Sequence, residues 1–153
     1  AAYGESVLDA AALWVGLCGL VPPRDPRFVA TVEAIERELL NGPAVYRYVV
    51  DDGLPGREGA WLICATWLVE SRAMIGRMDD AKALLARVAA LAGPTGLMAE
   101  EYDPRYGIAL GNFPQGFSHI GLINAALALH PPARDDATLP RRVTDDEEVG
   151  LPR

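Results

Sequence analysis

The stretch GAWLICATWLVESRAMI, Gly59 to Ile75, runs into GRMDDAKALLARVAALAG, Gly76 to Gly93, and this pair decides the fold. The first segment is apolar almost all round, through Trp61, Leu62, Ile63, Cys64, Trp67, Leu68 and Val69. A helix of that kind is covered on most sides. The second carries Leu84, Leu85, Val88 and Leu91 on one face and Lys82 and Arg87 on the other, with Asp79 near its start and Gly93-Pro94 at its end. That pattern is a one-sided surface helix. The same alternation extends in both directions. Upstream, an apolar helix is expected over Val7 to Leu20, stopped by Pro22-Pro23. An amphipathic helix follows, with Asp25 as N-cap, Pro26 at its first position and Phe28, Val32, Ile35 and Leu39 on one face. Asn41-Gly42-Pro43 ends it. Downstream, Pro114 to Leu129 reads as a third apolar helix, closed by Pro131-Pro132. Buried, amphipathic, buried, amphipathic, buried: the order fits an all-α fold of two layers, with inner helices covered on both sides and outer helices wet on one.

Connections from inner to outer helices are short, whereas residues 41–58 and 93–113 form long loops. In up-and-down packing both long loops emerge at one end, and long ordered loops are usually functional. The first holds Tyr46, Arg47, Tyr48, Asp51, Asp52, Glu58 and, at its exit, Trp61. Tyr46 to Val50 could form a short strand, and Asp51/Asp52-Gly53 and Pro55-Gly56 are turn signals. Carboxylates and an arginine bind vicinal hydroxyls and aromatic faces cover a pyranose, so this is the composition of a sugar site; a decorated surface turn with an ordinary ion pair is the plainer alternative. The second loop holds Glu100, Glu101 and Tyr102, then the turn signals Asp103-Pro104 and Tyr106-Gly107 between two short extended pieces. Adjacent glutamates on an extended segment point to opposite sides, so at most one faces a given cleft. A cleft glutamate can act as a general base toward water; the alternative is a solvated acidic pair. His119, one turn inside the last helix, reads as a hydrogen-bonded core or rim histidine. Asp9 reads as a cap of the first helix or a partner for an arginine. Trp14 and Trp67, mid-helix, read as core, leaving Trp61 to line the cleft.

The 153 residues make one domain or a piece of one, and a 50% hydrophobic content excludes wholesale disorder. A net charge of −7 with a single lysine argues against nucleic-acid binding. No apolar run approaches the roughly 18 residues needed to cross a bilayer, and nothing resembles a signal peptide, which gives a cytoplasmic expectation. Cys18 and Cys64 fall in apolar helical patterns and are expected to be buried free thiols; no Cys/His spacing suggests a metal and no cofactor is implied. The opening Ala1-Ala2-Tyr3 reads as a cut or a fragment. Residues 131–153, with four prolines, ten charges and no aromatic, read as a polar, disordered tail behind the domain of residues 1–130.

Four stretches together carry a family resemblance: YGESVLDAA (Tyr3 to Ala11), DPRFVATVEAIERELL (Asp25 to Leu40), DGLPGREGAWLICATWLVE (Asp52 to Glu70) and, most specific, LMAEEYDPRYGIALGNFPQGFSHIGLINAAL (Leu97 to Leu127). The chain resembles the C-terminal part of glycoside hydrolase family 15, which includes glucoamylases, glucodextranases and trehalases. The resemblance implies part of an (α/α)6 toroid, about five of its twelve helices, with the active site at the long-loop end. It implies inverting hydrolysis of α-glucosidic bonds, in glucose oligosaccharides or trehalose, by two glutamates without a cofactor. The first Glu of the family's base motif matches Glu100, as general base. Arg47 and Asp51 or Asp52 match a substrate-binding pair, Trp61 matches an aromatic lining the glucose site, and Glu58, Glu101 and Tyr102 are carried over as further substrate-binding residues. Nothing in the chain matches the family's acid-bearing Trp-Glu loop, so the missing N-terminal part of the same protein is implied as a partner, and the piece alone is expected to be inactive, with apolar flanks exposed. The competing class is a non-enzymatic helical-repeat module or a sugar-binding remnant, favoured if Glu100 faces bulk solvent.

Overall fold

A computed structural model describes residues 7–50 and 58–130 of the chain. Among them are five α-helices: α1 (Trp14–Leu17), α2 (Pro26–Leu39), α3 (Leu62–Met74), α4 (Met78–Ala89) and α5 (Gly116–Leu129). The all-α expectation is corrected by five short strands: β1 (Leu40–Asn41), β2 (Ala44–Val45), β3 (Ala60–Trp61), β4 (Glu101–Asp103) and β5 (Ile108–Leu110). They form one antiparallel sheet in sequential order. Its strands come from both long connections, so the sheet is what brings those connections together. The segment Tyr46 to Val50 is not a strand; pairing stops at Val45, which sits opposite Trp61.

α2 and α4 follow their amphipathic patterns. Asp25 caps α2, accepting from the Arg27 N–H, and Phe28, Val32, Ile35 and Leu39 are buried. Arg27 also pairs with the Asp25 side chain, and these hydrogen bonds hold that carboxyl down at about 2. α4 buries Ala81, Leu84 and Val88 and places Asp79 and Asp80 in its first turn, where the helix dipole favours negative charge. α3 is the centre of the molecule, packed against α1, α2, α4 and α5. Thr66 on α3 faces Gly121 on α5 so closely that a Cβ at 121 would meet the Thr66 hydroxyl. A half-buried ionic cluster ties the second, third and fourth helices: Glu36 accepts from both Arg72 and Arg77, while Arg72 Nη1 donates to the Asp80 carbonyl at 3.0 Å.

The first helix is much shorter than the apolar pattern Val7 to Leu20. It begins as a 3₁₀ turn at Ala10–Leu13, capped by Asp9, and ends at Leu17. Gly16 lies under the Phe28 ring and Gly19 takes a left-handed φ of 77°, which turns the chain out of the helix. Three residues expected in the core are not buried: Trp14 is 47% exposed, Cys18 is exposed, and Trp67 is half-buried, meeting Trp14 edge-on at 5.7 Å. Phe117, Ile120, Ile123 and Leu127 leave one apolar side of α5 in solvent. Exposed apolar faces of this kind mark surfaces that pack against another partner. The tail expectation for residues 131–153 lies outside the described residues.

Candidate functional site

The sheet ends where the chemistry-bearing residues gather. The β4–β5 hairpin pairs Glu101 with Leu110 and Asp103 with Ile108, which sets Glu100 against the Gly111-Asn112 turn. Glu100 N donates to the Asn112 carbonyl at 3.0 Å, and the exchange is returned: Asn112 N and Nδ2 donate to Glu100 Oε2 at 3.0 and 2.9 Å. Gln115 Nε2 donates to Glu100 Oε1 at 3.1 Å. Both carboxylate oxygens are therefore held. Gly111, with a left-handed φ of 71°, passes directly beneath that carboxylate.

The segment bearing Glu100 is fastened to the first turn of α5. Met98 N donates to His119 Nε2 at 3.2 Å, Gln115 N to the Met98 carbonyl at 2.9 Å, and Ser118 Oγ to the Ala99 carbonyl at 2.7 Å. A backbone N–H can only donate, so Nε2 of His119 is the acceptor and Nδ1 carries the proton of the neutral ring. His119 is thus the hydrogen-bonded rim histidine that its position suggested.

Glu100, Arg47 and Trp61 line one pocket of about 300 Å³ together with Trp67, Gln115 and Phe117. Its wall is mainly aromatic and aliphatic, with few polar groups converging on it, as small-molecule sites are. Arg47 is half exposed; its Nε lies 3.8 Å from Asp9 Oδ1, and its guanidinium lies 5.8 Å from the Tyr48 ring centroid. Asp9 meets both expectations, since its Oδ1 also accepts from Ala11 N at 2.8 Å. Trp61 is the N-cap residue of α3 and still part of β3, so the helix starts one residue after it. Glu58 accepts from Trp61 Nε1 at 2.9 Å and so fixes the indole edge without itself lining the pocket. Cys64, on the pocket floor, has its thiol pushed up to about 12 by burial.

Glu101 and Tyr102 stand apart. Glu101 turns away from Glu100, its Oε2 accepting from Gly59 N at 2.8 Å, and burial pushes its carboxyl above the ordinary range. Tyr102, opposite Ala60 and Ala109, packs on the core. Neither lines the pocket. Asp51 and Asp52 lie outside the described residues. Asn112 and Gln115 were not singled out from sequence, although counting the hairpin outward from the Tyr106-Gly107 turn places residues 111 and 112 beside Glu100. Among the described residues no cluster of His, Cys, Asp and Glu could hold a metal ion, and no helix is long and apolar enough to cross a membrane.

The chain is similar in sequence and in fold to known proteins. A trehalase of Mycobacterium tuberculosis is 48% identical over 128 residues, which is 82% of this chain and 19% of that protein. A trehalase of Thermoplasma volcanium is 39% identical over 140 residues, 91% of this chain and 22% of that one. A solved wild-type glycosidase superposes with a TM-score of 0.71 at 25% identity, covering 83% of this chain and 37% of its own; a variant of a glycosidase in complex with glucose matches equally well. The chain thus spans about a fifth of the length of the curated relatives it matches. The profile of the glycosyl hydrolases family 15 fits residues 1–127, and the chain belongs to that family.

Proposed function

We propose that this chain contributes the base-bearing side of an inverting α-glucoside hydrolase site, with trehalose as the favoured substrate. The observation that carries the reading is the sharing of one pocket by Glu100, Arg47 and Trp61, with Glu100 anchored through both oxygens. Glu100 takes a proton from water. The water oxygen bonds to the anomeric carbon from one face as the glycosidic bond breaks on the other. The departing oxygen takes a proton from a second carboxyl group, which lies in the polypeptide beyond this chain. Inverting pairs stand roughly 6.5–9.5 Å apart to admit that water. Arg47 donates to hydroxyls of the bound glucose, Trp61 covers its apolar face, and Asp51 or Asp52 adds an acceptor. Glu58 serves by holding Trp61.

In the intact protein the five helices form part of an (α/α)6 ring, whose neighbouring helices cover Phe117, Ile120, Ile123 and Leu127. The trehalase relatives support trehalose over maltose and longer glucans. The test is product stereochemistry: a full-length protein containing this chain, given α,α-trehalose and followed by ¹H NMR before mutarotation, should release one β-glucose for each α-glucose. Release of α-glucose alone would mean retention and defeat the water-activating role. No hydrolysis of any α-glucoside would favour a sugar-binding remnant.

A further inference from the structure

Gln115 does two things at once. Its Oε1 accepts from Phe117 N at 3.3 Å and caps α5, while its Nε2 donates to Glu100 Oε1 at 3.1 Å. The cap removes the usual ambiguity of an amide: helix N–H groups demand an acceptor, so the oxygen end is committed to the helix and the nitrogen end is left facing the carboxylate. Asn112 supplies the opposing grip, two donors on Oε2. Ser118 and His119, from the same turn of α5, fix the backbone of Ala99 and Met98. Every hydrogen bond to the Glu100 carboxylate therefore comes from the β5–α5 connection, while its backbone carbonyl accepts from Leu62 N at the start of α3 at 3.1 Å.

We infer that Gln115 and Asn112 are positioning residues that set the plane of the Glu100 carboxylate, and that Gln115 couples this plane to the N-terminus of α5. This inference rests on Glu100 being the base. A carboxylate that must reach one proton of one water needs a fixed plane, and a small misplacement at a reacting centre costs on the order of 100-fold in rate.

The test separates the clamp from the cap and from the base. Gln115→Ser keeps an N-cap oxygen on α5 but cannot reach Glu100. In a full-length protein containing this chain, Gln115→Ser should lower kcat roughly 10- to 100-fold with KM changed less than about threefold and no fall in melting temperature. Gln115→Glu, which sets a second carboxylate against the first, should lower kcat and also move the acid limb of the rate profile to higher pH, since neighbouring like charges disfavour ionisation. In a Glu100→Gln background, Gln115→Ser should cost nothing further when assayed on an activated aryl α-glucoside, because residues acting through one group are non-additive. Wild-type kcat for both Gln115→Ser and Asn112→Ala overturns the clamp while leaving the base role standing. An equal loss in both backgrounds also overturns it, placing Gln115 elsewhere. Undiminished turnover of Glu100→Gln alone would instead remove the reading beneath it.

Discussion

Replacing Gly111 with alanine should cost more than the same change at Gly96, and the difference measures how tightly the chain is packed beneath Glu100. Both glycines adopt left-handed backbone, with φ of 71° and 75°. An L-residue pays about 1–2 kcal/mol for that conformation. The reduced freedom of the unfolded chain offsets part of this equally in both variants and cancels in the comparison. The surroundings differ. A Cβ at Gly96 would meet nothing within 4 Å. A Cβ at Gly111 would fall 2.7 Å from Glu100 Oε2 and 2.9 Å from Glu100 Cβ. Oε2 could swing aside only by leaving Asn112, with Oε1 drawn off Gln115 as the carboxylate turns, and the Cβ cannot swing at all. Overpacking of this kind costs about 1–3 kcal/mol. At roughly 3 °C per kcal/mol for a chain of this size, Gly111→Ala should lower Tm by about 3–9 °C more than Gly96→Ala does, read by circular dichroism at neutral pH. Equal shifts would refute the reasoning, because they would show Glu100 free to move off Gly111 at no cost.

Two further outcomes follow from the ionic groups. Glu36→Gln removes the carboxylate shared by Arg72 and Arg77; the Arg72 side chain is only 11% exposed, so an uncompensated guanidinium remains and the loss should approach 3 kcal/mol in urea unfolding. A loss below about 0.5 kcal/mol would mean that the cluster behaves as a surface pair. Burial raises the Glu70 carboxyl above its ordinary value of 4.5. A raised acid stabilises the fold below its unfolded pKa, and that contribution is lost as pH rises through the folded value. Glu70→Gln should therefore be more stable than the parent at pH 7 and lose that advantage on acidification to pH 4; a difference that does not change with pH would contradict the assignment.

The order of the five helices was legible in sequence because two obey a one-sided 3.6-residue pattern and three are apolar runs bounded by Gly or Pro. α2 starts at Pro26 behind Asp25 as its cap signals indicate. The first helix is shorter than its hydrophobic content suggests: the apolar run spans Val7 to Leu20, but Gly19, at a φ of 77°, turns the chain out after Leu17. The sheet was only half legible. Strands of two and three residues hold their place by pairing across distant segments, Val45 with Trp61 and Trp61 with Glu101, and no local window contains such information. At the site, the expectation that Glu100 and Glu101 diverge held for a simple geometric reason, alternation on an extended backbone. The polar partners of Glu100 were hidden because Asn112 and Gln115 look like ordinary turn and cap residues until the hairpin folds them onto the carboxylate.

The central claim is that the carboxylate of Glu100 activates water in a sugar-binding pocket. The most direct measurement is the turnover of Glu100→Gln in a full-length protein containing this chain, with trehalose as substrate. A general base contributes about 10²–10⁴-fold. A fall of at least that size in kcat is expected, with KM within about threefold, because the sugar contacts proposed for Arg47 and Trp61 would remain. Turnover within a factor of ten of the parent would contradict it.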